Sequence, residues 1–257
     1  MGATFPSLKG AASTEYYFEC ERLLLARFPP LHGRLLLKTD LWDEAKNTEI
    51  LRWAAEQGAR PLGVDVSLDV VREAAAVLRG HRPGLARADV RALPFRDGSV
   101  DLVYSMGTIE HFPEYALAVQ EIARVLKPGG LAIVGVPNKL DPFLRPLLVH
   151  VLNLCGLYGY GMEKSFTPAA LRRLLESARL RVTEETGILF IPGWLRMLDL
   201  LCHTRWPRLG ALTGALVRPF ARLYRYVPAV RRHGYMIACL VEKPAEGAPA
   251  QPSPRVT

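Results

Sequence analysis

From Gly33 onward the apolar positions follow two alternating rhythms. Short continuous runs read as buried strands: Leu35 to Leu37, then PLGVDV from Pro61, GLARAD from Gly84, VDLVYS from Val100 and LAIVGV from Leu131. Between them the period lengthens to that of helices. Ser67 is placed to cap SLDVVREAAAVLRG, whose Val70, Val71, Ala74, Val77 and Leu78 form one apolar stripe ending at Gly80. Asn47 is placed to cap a helix through Ile50, Leu51 and Ala54 that stops at Gly58. Pro113 suits the first turn of a helix through Leu117, Ile122 and Leu126, which Lys127, Pro128, Gly129 and Gly130 end. Thr167 and Pro168 open a helix over TPAALRRLLESARL, RVTEET reads as a sixth strand and GYMIACLVEK as a seventh. Strands alternating with helices predict an α/β fold, a doubly wound and mostly parallel sheet.

Two segments break the alternation. Residues 141–163 and 187–230 are apolar, aromatic and helical in tendency, and are expected as helical insertions over one edge of the sheet. An amphipathic helix in TEYYFECERLLLARF is expected to pack nearby. The domain plan is therefore an N-terminal helical segment at 1–30, a main domain at 31–242 carrying both insertions, and a Pro- and Ala-rich disordered tail at 243–257.

Charge sharpens this plan. The formal net charge is +8, and between Phe190 and Tyr235 stand eight arginines, no lysine and one acid, Asp199. The four cysteines, Cys20, Cys155, Cys202 and Cys239, form neither a C-x-x-C pair nor a Cys/His cluster, which argues against a metal site or a disulfide framework and for a reduced, cytoplasmic setting. No basic start followed by an apolar core suggests a secretory signal, and no run of 18 apolar residues suggests a spanning helix.

In an open parallel sheet, ligands bind beyond the carboxyl ends of the strands. Asp65, ending the second strand, can accept from both hydroxyls of a ribose, or help Ser67 cap the next helix. Asp89 can accept from the exocyclic amine of adenine while the Val90 amide donates to the ring, with Leu93 and Phe95 as apolar walls; alone, the stretch is a loop returning to the core. Glu110 and His111 follow the fourth strand. His111 can take a proton from an acceptor hydroxyl, or donate to a loop carbonyl, and Glu110 suits an orienting acid. The turn after the first strand is the anomaly. Glycines are usual there, and this chain has Lys38, Thr39, Asp40, Leu41, Trp42, Asp43 and Glu44.

LGVDVS, ADVRALPFRDGSVDLVYSMGTIEHF, EIARVLKPGGLAIVGVPN and FTPAALRRLLESARLRV, in that order, resemble the class I S-adenosylmethionine-dependent methyltransferases in their small-molecule branch. The resemblance runs from about Arg34 to Thr186 and resumes in GYMIACLVEKP. It implies a seven-stranded Rossmann-like sheet whose last strand is antiparallel, with S-adenosyl-L-methionine across the ends of the first four strands. It also implies that Asp65 and Val66 hold the ribose, Asp89 and Val90 the adenine, and Ser105 and Met106 the methionine side. The first motif departs from the family, with Lys38, Thr39, Asp40 and Leu41 where an acid and three glycines are expected. Thr39 and Asp40 are placed to replace backbone contacts, and Lys38 to reach the cofactor's carboxylate or to pair with Asp40; a sheet-end salt bridge alone would leave the same residues.

The implied reaction is methyl transfer, most simply to oxygen, on a small hydrophobic, lipid- or glycan-linked acceptor. In the region 190–235, Trp194, Trp206, Phe220, Tyr224, Tyr226 and Tyr235 alternate with the arginines, a pattern suited to peripheral contact with an anionic membrane. The same composition suits binding of phosphate or carboxylate groups, or a helical lid with snorkelling arginines. Nucleic acid fits least, because the arginines are embedded in apolar sequence. Two competing readings stay open: a non-catalytic binding or partner protein with a decayed cofactor loop, and a nicotinamide dehydrogenase, which lacks its G-x-G-x-x-G here.

Overall fold

The structure is a computed structural model that describes residues 6–156 and 163–245. In chain order its elements are α1 (Ala12–Leu25), β1 (Leu35–Lys38), α2 (Trp42–Lys46), α3 (Ile50–Glu56), β2 (Arg60–Asp65), α4 (Leu68–Val77), β3 (Gly84–Arg87) and β4 (Val100–Met106). These are followed by α5 (Tyr115–Val125), β5 (Leu126–Pro137), α6 (Arg145–Leu154), α7 (Pro168–Ser177), β6 (Arg181–Ile188), α8 (Gly193–Arg205), α9 (Gly210–Tyr226) and β7 (Met236–Glu242). The seven strands form one sheet in the order β3-β2-β1-β4-β5-β7-β6, parallel except for β7, which is antiparallel to both neighbours. The expected doubly wound, mostly parallel seven-stranded sheet is the one observed.

Each face of the sheet is buried. Ala118, Val119, Ile122 and Val125 of α5 and Leu171 and Leu175 of α7 cover one face, against Leu37, Val64, Val103 and Val134. The other face takes α3, α4, α1, α8 and α9, with Tyr16, Cys20, Leu24, Leu195, Val217 and Tyr224 packed on Leu102, Tyr104, Ile133 and Ala238. The 187–230 insertion thus covers a face together with α1 instead of wrapping an edge. Asp199, the one acid of that region, explains the arrangement: its carboxylate accepts from the backbone N–H of Ser13 at 2.7 Å and from Thr213 Oγ1 at 2.7 Å. It thereby caps the first turn of α1, whose own N-cap Ala11 offers no side-chain acceptor, and pins that helix to α8 and α9.

Several boundaries differ from the sequence reading. Asn47 does not cap α3; its amide donates to Asp43 Oδ1 at 2.8 Å at the end of α2, and the first turn of α3 is satisfied by Glu44 Oε1, which accepts from Leu51 N at 2.8 Å. A charged acceptor carried by the preceding short helix replaces the local cap. Helix α5 begins at Tyr115, after a 3₁₀ turn at Ile109–His111, so Pro113 precedes the helix, Leu117 faces solvent and Leu126 starts β5. Ser67 and Thr167 do cap their helices, accepting from Val70 N at 3.4 Å and Ala170 N at 3.2 Å. Part of the predicted 141–163 insertion and most of the predicted tail lie outside the described residues. Among the described residues no helix is long and apolar enough to cross a membrane.

The insertion's return to the sheet depends on a close crossing. A Cβ on Gly234 would stand 2.1 Å from the Ile188 carbonyl oxygen, and one on Gly187 would stand 2.5 Å from that of Arg231, both backbone atoms of paired segments. Gly234→Ala is therefore expected to destabilise the fold by about 2 kcal/mol or more, since neither backbone can give way without disturbing the β6–β7 register. Thermal denaturation checks this, and an unchanged midpoint would contradict it.

Candidate functional site

The turn after β1 is built by side chains. Lys38, the last residue of β1, is 1% exposed, and its ammonium turns inward to Asp43 Oδ2 at 2.9 Å, Asp40 Oδ1 at 3.1 Å and Glu44 Oε2 at 3.5 Å. It also donates to the Asp40 carbonyl at 3.1 Å. Burial works against the charged lysine, but Asp40, Asp43, Glu44 and Glu21 outweigh it and hold the ammonium well above the usual lysine range. Thr39 Oγ1 donates to Ser105 Oγ at 2.8 Å and lies 3.1 Å from Thr108 Oγ1, which donates to Asp40 Oδ2 at 3.1 Å. The backbone N–H of Leu41 donates to Asp65 Oδ2 at 3.1 Å, tying this turn to the end of β2. Leu41 then packs onto Gly63 of β2, where an added Cβ would come within 2.5 Å of its Cδ2. The glycine that permits close approach stands in the neighbouring strand, not in the turn.

Above these strand ends opens a cavity of about 710 Å³, within the range of small-molecule sites. Of the residues singled out from sequence, Thr39, Asp40, Asp65, Val66, Asp89, Val90, Met106 and His111 line it together. Lys38 and Ser105 do not: each is 1% exposed and lies behind the cavity wall. Lys38 is thus paired with Asp40, and the alternative in which it reaches a ligand carboxylate is corrected by its inward-facing ion pairs. Asp65 Oδ1 accepts from the Ser67 N–H at 2.8 Å, just before α4, and the residue lines the cavity. Asp89 is gripped by Arg91, whose Nη2 lies 2.6 Å from Oδ2 and whose backbone N–H lies 2.8 Å from Oδ1. Those bonds from Arg91 hold the Asp89 carboxyl below the usual range.

The other end of the cavity comes from residues to which sequence reasoning assigned no place in the site. Tyr17 of α1, Arg145, Leu148 and Val149 of α6, Glu163, and Arg196, Met197 and Leu200 of α8 all line it, as does Tyr235 just before β7. Arg145 and Glu163 form a buried ion pair. Glu110 is buried, and burial pushes its carboxyl well above the usual range. His111 sits half exposed at the rim, its Nε2 4.0 Å from Glu110 Oε1. Arg196 and Tyr235 were visible in the basic aromatic region, but nothing in their spacing told which of those side chains turn inward. Among the described residues no set of His, Cys, Asp and Glu side chains is arranged to hold a metal ion.

The cluster behind the turn is short of positive charge. Burial pushes Glu44 up to about 7 from its ordinary 4.5, an effect Lys38 only partly offsets. A carboxyl raised on folding contributes stability that is complete below about pH 4.5 and lost as the pH climbs through about 7. Glu44→Gln removes that titration while keeping an acceptor for Leu51. The stability of the wild type relative to this variant is thus expected to fall by at least about 1 kcal/mol between pH 4.5 and 7.5. Urea denaturation at a series of pH values checks it; a constant difference would contradict the assignment.

Comparison with known proteins agrees with this geometry. A family model described as "Methyltransferase domain" matches residues 47–134. A protein of Mycolicibacterium smegmatis named "Probable S-adenosylmethionine-dependent methyltransferase" is 28% identical over 189 residues, 71% of this chain and 66% of that protein. A "Ubiquinone biosynthesis O-methyltransferase" of Cupriavidus pinatubonensis is 30% identical over 146 residues, 54% of this chain and 58% of that protein. The chain thus spans less than two thirds of the length of either relative. Among solved structures, one from the complex of the Haloferax volcanii Trm112 methyltransferase activator with a methyltransferase aligns at a TM-score of 0.64 and 22% identity, covering 91% of this chain and 92% of that one. That likeness is one of fold. The matched segment runs from residue 47 into β5, and the carboxyl ends of the strands around it gather on one cavity, so in sequence and in fold the chain is similar to S-adenosylmethionine-dependent methyltransferases.

Proposed function

We propose that this chain transfers a methyl group from S-adenosyl-L-methionine to a small hydrophobic acceptor, lipid- or glycan-linked, at an oxygen atom. The observation that carries the reading is the cavity's division into two unlike ends. Four acids at strand ends and turns, Asp40, Asp43, Asp65 and Asp89, face one end, and aliphatic side chains of α6 and α8 face the other. Asp65 and Val66 would hold the ribose and Asp89 and Val90 the adenine. Asp40, pushed up to about 6 chiefly by burial, would accept from the ammonium of the methionine part, with Thr39 beside it and Met106 beneath. Lys38 and Ser105 position Asp40 and Thr39 from behind.

When bound, S-adenosyl-L-methionine supplies a sulfonium-activated methyl group, so the protein's share is alignment, exclusion of water and proton removal. Leu148, Val149, Met197 and Leu200 would keep the acceptor end dry. His111, at the rim, would take the proton of an acceptor hydroxyl. The name of the ubiquinone-biosynthesis relative supports transfer to oxygen, and a ring- or chain-bearing hydrophobic acceptor suits the apolar end. A side-chain-built turn that is bonded throughout supports retained cofactor binding over a decayed, non-catalytic fold.

Calorimetric titration with S-adenosyl-L-homocysteine tests this. The wild type is expected to bind, and Asp65→Ala to bind at least tenfold more weakly while keeping its melting temperature within a few degrees. No binding by the wild type would overturn the reading in favour of a non-catalytic member of the fold.

The outer surfaces of the same helices support peripheral contact with an anionic membrane. Leu147, Val151 and Leu154 of α6, Trp194, Leu198 and Leu201 of α8, and Leu212 and Leu216 of α9 are exposed, with Arg205, Arg208, Arg218 and Arg222 exposed among them. Sedimentation with vesicles is expected to give binding to phosphatidylglycerol-containing but not to purely zwitterionic membranes, reduced severalfold in the double variant Trp194→Ser, Trp206→Ser. Equal and negligible sedimentation with both would remove this part of the proposal.

A further inference from the structure

Among the described residues, Arg196 is a cation in the cavity with no carboxylate paired to it. It projects from the first turn of α8 and lines the cavity between α1 and the start of β7. Its guanidinium carbon lies 5.0 Å from the ring centroid of Tyr17 and 5.3 Å from that of Tyr235. Cation–π contact of this kind orients a guanidinium plane without neutralising it. Among the described residues no carboxylate lies within 4.0 Å of it, in contrast to the neighbouring Arg145, which stacks on Tyr235 at 4.1 Å and is paired with Glu163. Glu110, another acid lining the cavity, is buried and forms no ion pair with Arg196.

The consequence follows from charge and surroundings together. A half-buried guanidinium, packed between two aromatic rings and already oriented, presents its remaining N–H donors as a fork suited to two oxygens of one anion. Its neighbours along α8 and across on α6, Met197, Leu200 and Leu148, are apolar. The group that meets Arg196 is thus an oxyanion attached to a hydrophobic body. The acids that suit the cofactor's ribose, adenine and ammonium line the cavity from other elements, the turn after β1, the end of β2 and the loop after β3.

Resting on the methyltransferase reading, we propose that the acceptor is an amphiphile bearing a carboxylate or phosphate, and that Arg196 receives that oxyanion and sets the acceptor's orientation in the cavity. A carboxylate could also come from the amino-acid end of the cofactor, and the experiment separates the two sources. Wild type, Arg196→Gln and Arg196→Lys are titrated with S-adenosyl-L-homocysteine, and then, both with and without it, with decanoate, decyl phosphate and the uncharged 1-decanol. The wild type is expected to bind at least one of the two anions tenfold or more tightly than decanol. Arg196→Gln should bring that preference to within about twofold while leaving S-adenosyl-L-homocysteine affinity within twofold, and Arg196→Lys should restore part of it.

Three results would overturn the proposal: no preference for either anion in the wild type, a preference that survives in Arg196→Gln, or a tenfold loss of S-adenosyl-L-homocysteine binding in that variant, which would assign the guanidinium to the cofactor's own carboxylate. If the wild type binds no S-adenosyl-L-homocysteine, the methyltransferase reading fails by itself, and the titrations without it still decide whether Arg196 receives an anion. Circular dichroism on each variant separates loss of the site from loss of fold.

Discussion

A lysine ammonium held away from water at the end of β1 governs how the carboxyl edge of the sheet is arranged. Removing such an ion from water costs several kcal/mol unless carboxylates and hydrogen bonds surround it. Lys38 finds its partners within the next six residues, at Asp40, Asp43 and Glu44, and that requirement folds the chain into the short helix α2 directly after the strand. A glycine turn could not supply those groups. Burial first, and then the crowding of acids around one base, is why Asp40 and Glu44 keep protons to unusually high pH, and the excess of acids leaves the wall of the cavity receptive to a further positive charge. From the same cluster, Glu21 of α1 reaches Tyr104 of β4, accepting from its hydroxyl at 2.9 Å. The N-terminal helix is therefore fastened to the sheet directly beneath the site.

The cavity is assembled from two halves of the chain that are far apart in sequence. Residues 39 to 112 build the acidic end on β1, β2, β3 and β4, and residues 137 to 236 supply most of the apolar and cationic end. The halves meet because β7 inserts between β5 and β6, carrying Tyr235 and Met236 back to the cavity. Tyr224 of α9 donates to the Gly187 carbonyl at 3.1 Å and stacks edge-on with Tyr16 at 5.7 Å, so the helices over the face and the edge strand are fixed by the same contacts. With Asp199 joining α8 to α1, the acceptor end rests on a packed scaffold.

The alternation of strands and helices was legible because a doubly covered parallel sheet leaves apolar runs in the sequence, and the five parallel strands β1 to β5 include those runs, while β6 at the sheet edge is mostly polar. The acids near strand ends were legible for a related reason: Asp65 closes β2 and Asp89 follows β3 by two residues, so topology brings both to one rim. Asn47 was misread because the signal used was local, whereas the group satisfying α3 is a carboxylate from the preceding helix. Lys38 read equally as a ligand or a partner; only its 1% exposure decides. The insertion residues were opaque for a different reason. An arginine in an apolar stretch is equally a snorkelling surface residue or a buried cation, and the choice for Arg196 depends on Tyr17, almost 180 residues earlier, and on Tyr235.

The distribution of charge over the cavity limits what it can hold in a way that neither end does alone. At the β1 end, incompletely neutralised carboxyls favour a cationic group; on α8, Arg196, with no carboxylate paired to it among the described residues, favours an anionic one. Beside Arg196, the charge of Arg145 is balanced by Glu163. A single ligand spanning the cavity would need separated charges of the matching signs. Two ligands would need a cation on one and an anion on the other, and the low-dielectric walls between the ends would strengthen the penalty for entering in the reversed order. Discrimination therefore arises from a field laid along the cavity, and the apolar side chains of α6 and α8 contribute to it by excluding the water that would screen it.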